Sequence, residues 1–488
     1  MTRRPNILLI TADQWRGDCL GVAGHPAVRT PNLDALARES TVFCNHHAAC
    51  APCSPARASL YTGLYQMNHR VTHNGAPLDT RFDNMALAAR RAGYLPTLFG
   101  YTDTALDPRG RDPQDPALRS YEEVLPGFTC RQPLREDDRT WITWLGRRGH
   151  DAGLLADPHR VEPADDGGVS LAPPGYGADE TQTAFLTEAF LDWHAEQTGE
   201  AWFAHVSFLR PHPPFVVPEP YASMISPDDV PAPIPLAEPP HPLVQIIRQI
   251  APAADFQPGL EGCIESLSET DFRRIRALYY GMIAEVDAQI GHLFDTLRAR
   301  GDWEDTMVIF TSDHGEMLGD HGLLGKGGFY RESQHIPLMI RLPGGVANEV
   351  AAYTSAVDVF PTLLELWGLE GRHAPDGDSL LPALTGAAPV GRPWAIWEFD
   401  FRHTLGAERR TSLGLDSRAC HLLVLRNEGA QYVHSPAFGP LLFDLGDDPA
   451  CLTCIAQDHP EARLALAEEL LHRVTQLRDE TLAPHAQT

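Results

Sequence analysis

Cys53-Ser54-Pro55-Ala56-Arg57-Ala58-Ser59-Leu60-Tyr61-Thr62-Gly63 is the stretch around which the chain is organised. Pro55 has no N–H to donate, so a helix tolerates it in the first turn and not deeper. Cys53 or Ser54 is therefore the expected N-cap. Ala56 to Thr62 are acceptable helix residues, and Gly63 can close the helix in the left-handed conformation. Cys53 then sits at the positive end of a short helix, where unpaired N–H groups face an anion. Arg57 follows four residues on, on the same face, with a fork-shaped cation. A potential nucleophile, a helix N-terminus and an arginine at one point suit an ester of a tetrahedral oxyanion. Without further support the same stretch would read as a buried cysteine capping a structural helix.

Outward from this helix, apolar runs end in reactive residues. The run Ile7–Ile10 predicts a strand covered on both faces, ending at Asp13-Gln14. Tyr94–Phe99 predicts another, ending at Gly100 to Thr104. Trp202–Leu209 ends at Arg210-Pro211-His212, and Thr306–Ser312 at Asp313-His314. Helices are expected at 31–37, 84–92, 181–194 and 357–367. A long amphipathic helix is expected over 271–300, with Ile275, Leu278, Met282, Val286, Ile290, Leu293 and Leu297 on one stripe. Strands alternating with helices indicate a mostly parallel α/β sheet. In such sheets ligands bind at the carboxyl ends of the strands, so Asp13, Tyr101, His212 and Asp313 can converge with Cys53.

The texture changes after residue 371. Four short strands at 394–399, 420–426, 431–434 and 441–445 predict a small antiparallel sheet, followed by a terminal helix over Ala462–Arg478. The expected organisation is thus a catalytic domain over 1–371 and a smaller α+β domain over 372–488. Two stretches, 105–180 and 217–258, are rich in Pro and polar residues and read as irregular insertions, a lid or an oligomer contact. A homo-oligomer is expected.

At 488 residues the chain can hold one large core and a smaller one. With 39 basic and 65 acidic residues the net charge is −26, which argues against nucleic-acid or membrane-surface binding. That average field repels an anionic substrate, so the site must concentrate its own positive charge. The start, Met1-Thr2-Arg3-Arg4 before Ile7–Ile10, resembles a signal peptide, but the apolar run is too short and leads straight to Asp13. It reads as a core strand, and the protein as cytoplasmic. The nine cysteines are odd in number and scattered, unlike a disulfide framework.

Asp13, Gln14, Asp313 and His314 form an expected site for one divalent cation. Two carboxylates supply charge, an amide oxygen a neutral ligand, and an imidazole a nitrogen that favours Mn2+ over Ca2+. Singly each would be a cap or turn residue; two adjacent pairs at the ends of buried strands favour metal.

Cys53-x-Pro55-x-Arg57 followed by Ala58-Ser59-Leu60-x-Thr62-Gly63 resembles the signature of the type I sulfatases, and Ser312-Asp313-His314-Gly315-Glu316 to Gly322, with Lys326, resembles their second signature. The resemblance covers nearly the whole chain and implies an alkaline-phosphatase-like α/β fold. It also implies that Cys53 is oxidised to formylglycine (3-oxoalanine) by a formylglycine-generating enzyme, and that the hydrated aldehyde is the nucleophile and a metal ligand. Arg57, Lys326 and Asn74 would hold the non-bridging oxygens, and His212 or Lys326 would protonate the leaving alcohol.

Three departures fix the branch. Gln14 stands where many sulfatases have an acidic residue, His314 where they have asparagine, and Tyr101 where they have a lysine. This set resembles the phosphonate monoester hydrolase and arylsulfatase branch, with Tyr101 as a substrate-oxygen donor. The family's second histidine is missing; Asp103 or Thr104 would stand in for it. The implied activity is hydrolysis of small-molecule sulfate or phosphonate monoesters. The alternative is a phosphonate monoester hydrolase or phosphodiesterase with only promiscuous sulfatase activity; a pseudoenzyme with unoxidised Cys53 is the non-catalytic rival.

Overall fold

Residues 4–477 are described by the computed structural model. Met1, Thr2 and Arg3 of the leader-like start and Arg478 of the expected terminal helix lie outside the described residues. The strands run, in chain order, β1 (Asn6–Ala12), β2 (Thr41–His47), β3 (Cys50–Ala51), β4 (Pro96–Gly100), β5 (Thr129–Pro133), β6 (Phe203–Phe208), β7 (Thr306–Thr311), β8 (Leu338–Arg341), β9 (Asn348–Ser355), β10 (Trp394–Asp400), β11 (His421–Asn427), β12 (Ala430–His434) and β13 (Leu441–Asp444). Eight of them form one sheet in the order β5-β4-β6-β1-β7-β8-β2-β9. Only β8 runs against its neighbours there. The sheet is thus the mostly parallel α/β sheet the alternation predicts.

Strand β1 lies at its centre and is buried throughout. Its side chains alternate between two cores. Leu8 and Ile10 join the core of the long helix Glu269–Arg300; Ile7 and Leu9 join the opposite core with Leu60, Met85, Ala89 and Leu363. Both faces are covered, which explains the unbroken apolar run. The long helix begins with a capping box between Ser268 and Asp271, two residues before the expected start, and ends at a left-handed Gly301.

The second sheet has the order β13-β12-β11-β10-β3. Four of its strands are the predicted antiparallel ones. The fifth, β3, comes from the N-terminal part and pairs in parallel with β10, Cys50 opposite Glu398 and Ala51 opposite Phe399. A two-residue strand gives no periodic signal. The helix Pro460–Gln476 packs Leu470 against this sheet.

The insertions are more regular than expected. In 105–180, β5 forms an edge of the large sheet, and the helix Arg139–Arg147 buries Trp141 and Leu145. In 217–258, the helix Pro242–Ile250 buries Leu243, Val244 and Ile246 against the smaller sheet. Their Pro and charged residues hid short elements whose apolar stripes are only two or three residues wide. No described helix is long and apolar enough to cross a membrane.

Candidate active site

The helix carrying Cys53 spans Cys53–Thr62, and Pro52, not Cys53 or Ser54, is its flanking residue. Cys53 is the first helical residue, and Ala56 N donates the first helical bond to Pro52 O. Pro55 falls third, where its missing N–H would have had no helical partner anyway. Gly63 closes the helix at φ 70° with its N–H on Ser59 O, as predicted.

Register brings the strand ends together. Thr11 of β1 pairs with Thr311 of β7, so Asp13 and Asp313 both lie two residues past one pair. Phe99 of β4 pairs with Val206 of β6, which places Tyr101 at the same edge. Gly100 permits that approach: at φ 106°, an added Cβ would lie 2.1 Å from the Ser207 carbonyl oxygen.

Around Cys53 the distances are short. His314 Nε2 lies 3.3 Å from Cys53 Sγ, and Lys326 Nζ lies 3.1 Å from it and 2.8 Å from Gln14 Oε1. Ligand atoms of Asp13, Cys53, Asp313 and His314 all lie within 4.8 Å of one another. Asp13 Oδ1 is buried with no hydrogen-bond partner. A buried carboxylate oxygen so placed calls for a cation, and this donor set fits one divalent ion. The Gln14 oxygen points to Lys326 instead, and its amide nitrogen is held by Glu316.

Arg57 sits where the sequence put it, but it faces the carboxylates. Nε donates to Asp313 Oδ2 at 3.0 Å and Nη2 to Asp13 Oδ2 at 3.1 Å. Nη1 donates to Ser207 Oγ at 2.8 Å and to the Tyr101 carbonyl at 3.3 Å. Tyr101 OH donates to Asp13 Oδ2 at 2.5 Å, and the Tyr101 ring lies 4.2 Å from the Arg57 guanidinium carbon. Both residues expected to touch substrate thus hold Asp13. Thr104 is buried, and its hydroxyl donates to the Thr102 carbonyl at 3.3 Å. Asp103 is buried at φ 46°, 3.8 Å from Arg57 Nε. Asn74 Oδ1 accepts from Ser54 N at 3.0 Å and so caps the Cys53 helix from outside it. His212 is half-buried, with Nδ1 2.7 Å from the Pro213 carbonyl oxygen.

The electrostatics follow from this crowding. Burial opposes ionisation of Asp13, but His212, Lys326, Arg57 and His314 outweigh it and hold the carboxyl well below the usual range. Burial, helped by Asp13 and Asp313 and opposed by Arg57, pushes Asp103 up to about 8. Burial and Asp13 hold the Cys53 thiol well above its ordinary value, against Lys326. As a plain thiol Cys53 is a poor nucleophile.

Two residues were missed. Ser207 fixes Arg57, and its register partner Thr11 donates to it at 3.1 Å. Glu316 accepts from Leu318 N and Gly325 N, at 3.0 and 2.7 Å, and so folds the loop that carries Lys326 back over Gln14. Its place beside Asp313-His314 was the available signal.

Residues 5–369 match the sulfatase family, and 319–480 match the C-terminal region of the N-sulphoglucosamine sulphohydrolases. The chain belongs to the sulfatase family. It is a hydrolase of the alkaline phosphatase superfamily, and the family generally uses a metal ion and a formylglycine. A multifunctional alkaline phosphatase superfamily protein, PehA of Trinickia caryophylli, is 39% identical, over 95% of this chain and 93% of its own. The choline-sulfatase of Rhizobium meliloti is 29% identical, over 94% and 83%. The phosphonate monoester hydrolase of Agrobacterium radiobacter superposes with a TM-score of 0.95 at 52% identity, over 98% of this chain and 97% of that one. This sulfatase-family chain thus has the fold its two signatures imply.

Proposed function

We propose that this protein hydrolyses phosphonate and sulfate monoesters at Cys53, with phosphonate monoesters at least as good as sulfates. The convergence of Lys326, His314 and the helix start on Cys53 Sγ carries this reading. The 52% identity to a phosphonate monoester hydrolase supports the phosphonate preference. The 28% identity to an arylsulfatase of Clostridium perfringens favours a second reading, an arylsulfatase.

Asp13, Asp313, His314 and residue 53 would hold one divalent cation, Mn2+ or Ca2+, with Gln14 beside them. When bound, such a cation neutralises charge on a tetrahedral oxyanion and acidifies an oxygen nucleophile. Formylglycine at 53, made by a formylglycine-generating enzyme, would supply as its hydrate one hydroxyl as the nucleophile toward phosphorus or sulfur and a second that would let the oxyanion leave with return of the aldehyde. Lys326 binds a non-bridging oxygen as charge shifts onto it. Asn74, with its oxygen on Ser54 N, presents its amide nitrogen to another. His212, with Nδ1–H on Pro213 O, presents Nε2 to the leaving oxygen. It protonates that oxygen as the imidazolium, a form that burial and Lys326 oppose, lowering its pKa to about 3, and that the bound anionic ester and the charge growing on the leaving oxygen favour. Arg57 and Tyr101 hold Asp13 in place. Asp103 lies beside this pair, 3.8 Å from Arg57 Nε.

The parts 1–371 and 372–488 form our proposed division, joined by the β3–β10 pairing. Nine free cysteines support a reducing, cytoplasmic compartment. Exposed Leu464 and Leu471, seven apart on the terminal helix, support a homo-oligomer.

The test compares kcat/KM for an aryl phosphonate monoester and an aryl sulfate. The enzyme is metal-replete, with formylglycine at 53 verified by peptide mass and Cys53→Ala as control. Comparable values, or a phosphonate excess, are expected. A sulfate excess of several decades makes the protein an arylsulfatase, and activity no higher than the control removes Cys53 from the chemistry.

A further inference from the structure

The loop that presents His212 is short of donors. Pro211, Pro213 and Pro214 have no N–H, and the one N–H between them, that of His212, goes to Leu209 O at 3.0 Å. The carbonyl groups of this loop must be satisfied from elsewhere. Arg210 does this. It is 4% exposed, and its Nη1 donates to the carbonyl oxygens of His212 and Pro214, each at 2.8 Å. The carbonyl between them, that of Pro213, accepts from the His212 ring itself. One guanidinium thus grips the backbone on both sides of the contact that sets the His212 ring.

Arg210 is itself held from the 105–180 insertion. Its Nη2 lies 3.3 Å from His159 Nδ1, and His159 Nε2 lies 2.9 Å from Asp138 Oδ2. The direction is forced: arginine has only donors, so Nδ1 accepts and Nε2–H donates to the carboxylate. The other Asp138 oxygen accepts from the Gln182 amide. His159 stacks on fully buried Trp141, with ring centroids 5.4 Å apart and planes at 23°. Each member of the chain is therefore fixed by a second contact. A largely buried network of this kind sets an orientation rather than merely filling space.

We propose that Arg210 is a positioning residue for His212, and that Asp138, His159 and Arg210 form a chain through which the 105–180 insertion orients the group that protonates the leaving alcohol. The inference rests on the reading of His212 given under Proposed function.

Leaving-group dependence tests it. A phenyl ester needs the acid, because its phenol ionises only near pH about 10, like a tyrosine side chain. A 4-nitrophenyl ester releases a much stronger acid and needs it far less. With phosphonate monoesters of both alcohols, His212→Ala should lose on the order of 100-fold in kcat on the phenyl ester and only a few-fold on the 4-nitrophenyl ester. Arg210→Met should reproduce that selectivity, losing about 10-fold or more on the phenyl ester with KM little changed, and Arg210→Lys should recover part of it. The double variant His212→Ala/Arg210→Met should be no slower on the phenyl ester than His212→Ala alone. His159→Gln should show a smaller loss in the same sense. The 4-nitrophenyl rate doubles as the folding control; if Arg210→Met does not fold, Arg210→Lys and His159→Gln carry the same reading. Equal losses on both esters, or losses that add to those of His212→Ala, overturn the role of Arg210. If His212→Ala itself shows no selectivity, His212 is not the acid, and both readings fall at that step.

Discussion

Every nitrogen of the Arg57 guanidinium donates to a protein oxygen, and two of those oxygens belong to Asp13 and Asp313. A fork of this shape fixes two carboxylates at a set separation, which a point charge cannot do. Arg57→Lys should therefore lower divalent-metal affinity by roughly 10- to 100-fold, and activity at limiting metal with it. Metal analysis after gel filtration, and a Mn2+ titration of kcat, would show this; a variant that keeps its metal and loses only KM would return Arg57 to the substrate. A second residue-scale expectation concerns Glu285, 1% exposed on the long helix and bonded by the Thr181 hydroxyl at 2.6 Å. Burial, against Thr181, Thr183 and Arg210, pushes its carboxyl up to about 7 from an ordinary 4.5. The folded state thus holds the proton more tightly than the unfolded one. That stability is full below pH 4.5 and is lost as pH rises through about 7. Glu285→Gln accepts the same Thr181 bond without a charge. Its melting temperature should equal that of the parent near pH 4.5 and exceed it at pH 8, by an amount on the order of 2–3 kcal/mol of stability. Parallel melting curves across that range would show that Glu285 stays neutral for another reason.

The Cys53 helix depends on its two ends. At the far end, Gly63 is left-handed, and a Cβ there would meet Pro375 at 3.1 Å and Pro361 at 3.2 Å. Gly63→Ala should cost about 1–2 kcal/mol, read as a melting temperature lower by roughly 1–2 °C for a chain of this size. An unchanged transition would mean that the C-cap relaxes into another turn. Such elements were legible because the residues that make them have strong local preferences: a glycine after a helix, or an unbroken apolar run within β1 and β7. What was not legible depends on partners far away in sequence. β3 is two residues long and exists only because β10 is there to pair with it. Pro52 flanks the helix directly after β3 and makes no side-chain cap bond. Asn74 caps the helix from 20 residues downstream of Ser54, and no local pattern announces that. That Asp13, Asp313 and His314 gather at one point was readable for the opposite reason. A carboxylate at the end of a buried strand is expensive to place, so two such pairs imply a shared ion. Their supports, Ser207 and Glu316, are ordinary polar residues until register and loop closure bring them in.

At the scale of the molecule the site and its surroundings have opposite signs. The chain carries a net charge of −26, and its substrate is an anion. Close to Cys53 the positive groups prevail, since Lys326 is within 3.1 Å of Sγ and the helix start adds its own partial charge. Far from Cys53 the acidic excess prevails and slows the approach of an anion. Salt acts on these two fields differently. The long-range field is screened as the Debye length falls from about 30 Å at 0.01 M to about 8 Å at 0.15 M, whereas contacts inside a buried site are screened much less. Capture of substrate should therefore speed up with salt while the chemical step stays as it was. With an aryl phosphonate monoester, kcat/KM should rise by a few-fold between about 0.01 and 0.2 M NaCl, and kcat should stay flat. A stopped-flow binding rate that rises in parallel would place the effect on association. A kcat/KM that falls instead would mean that the positive field of the site reaches beyond the pocket mouth and governs the approach itself.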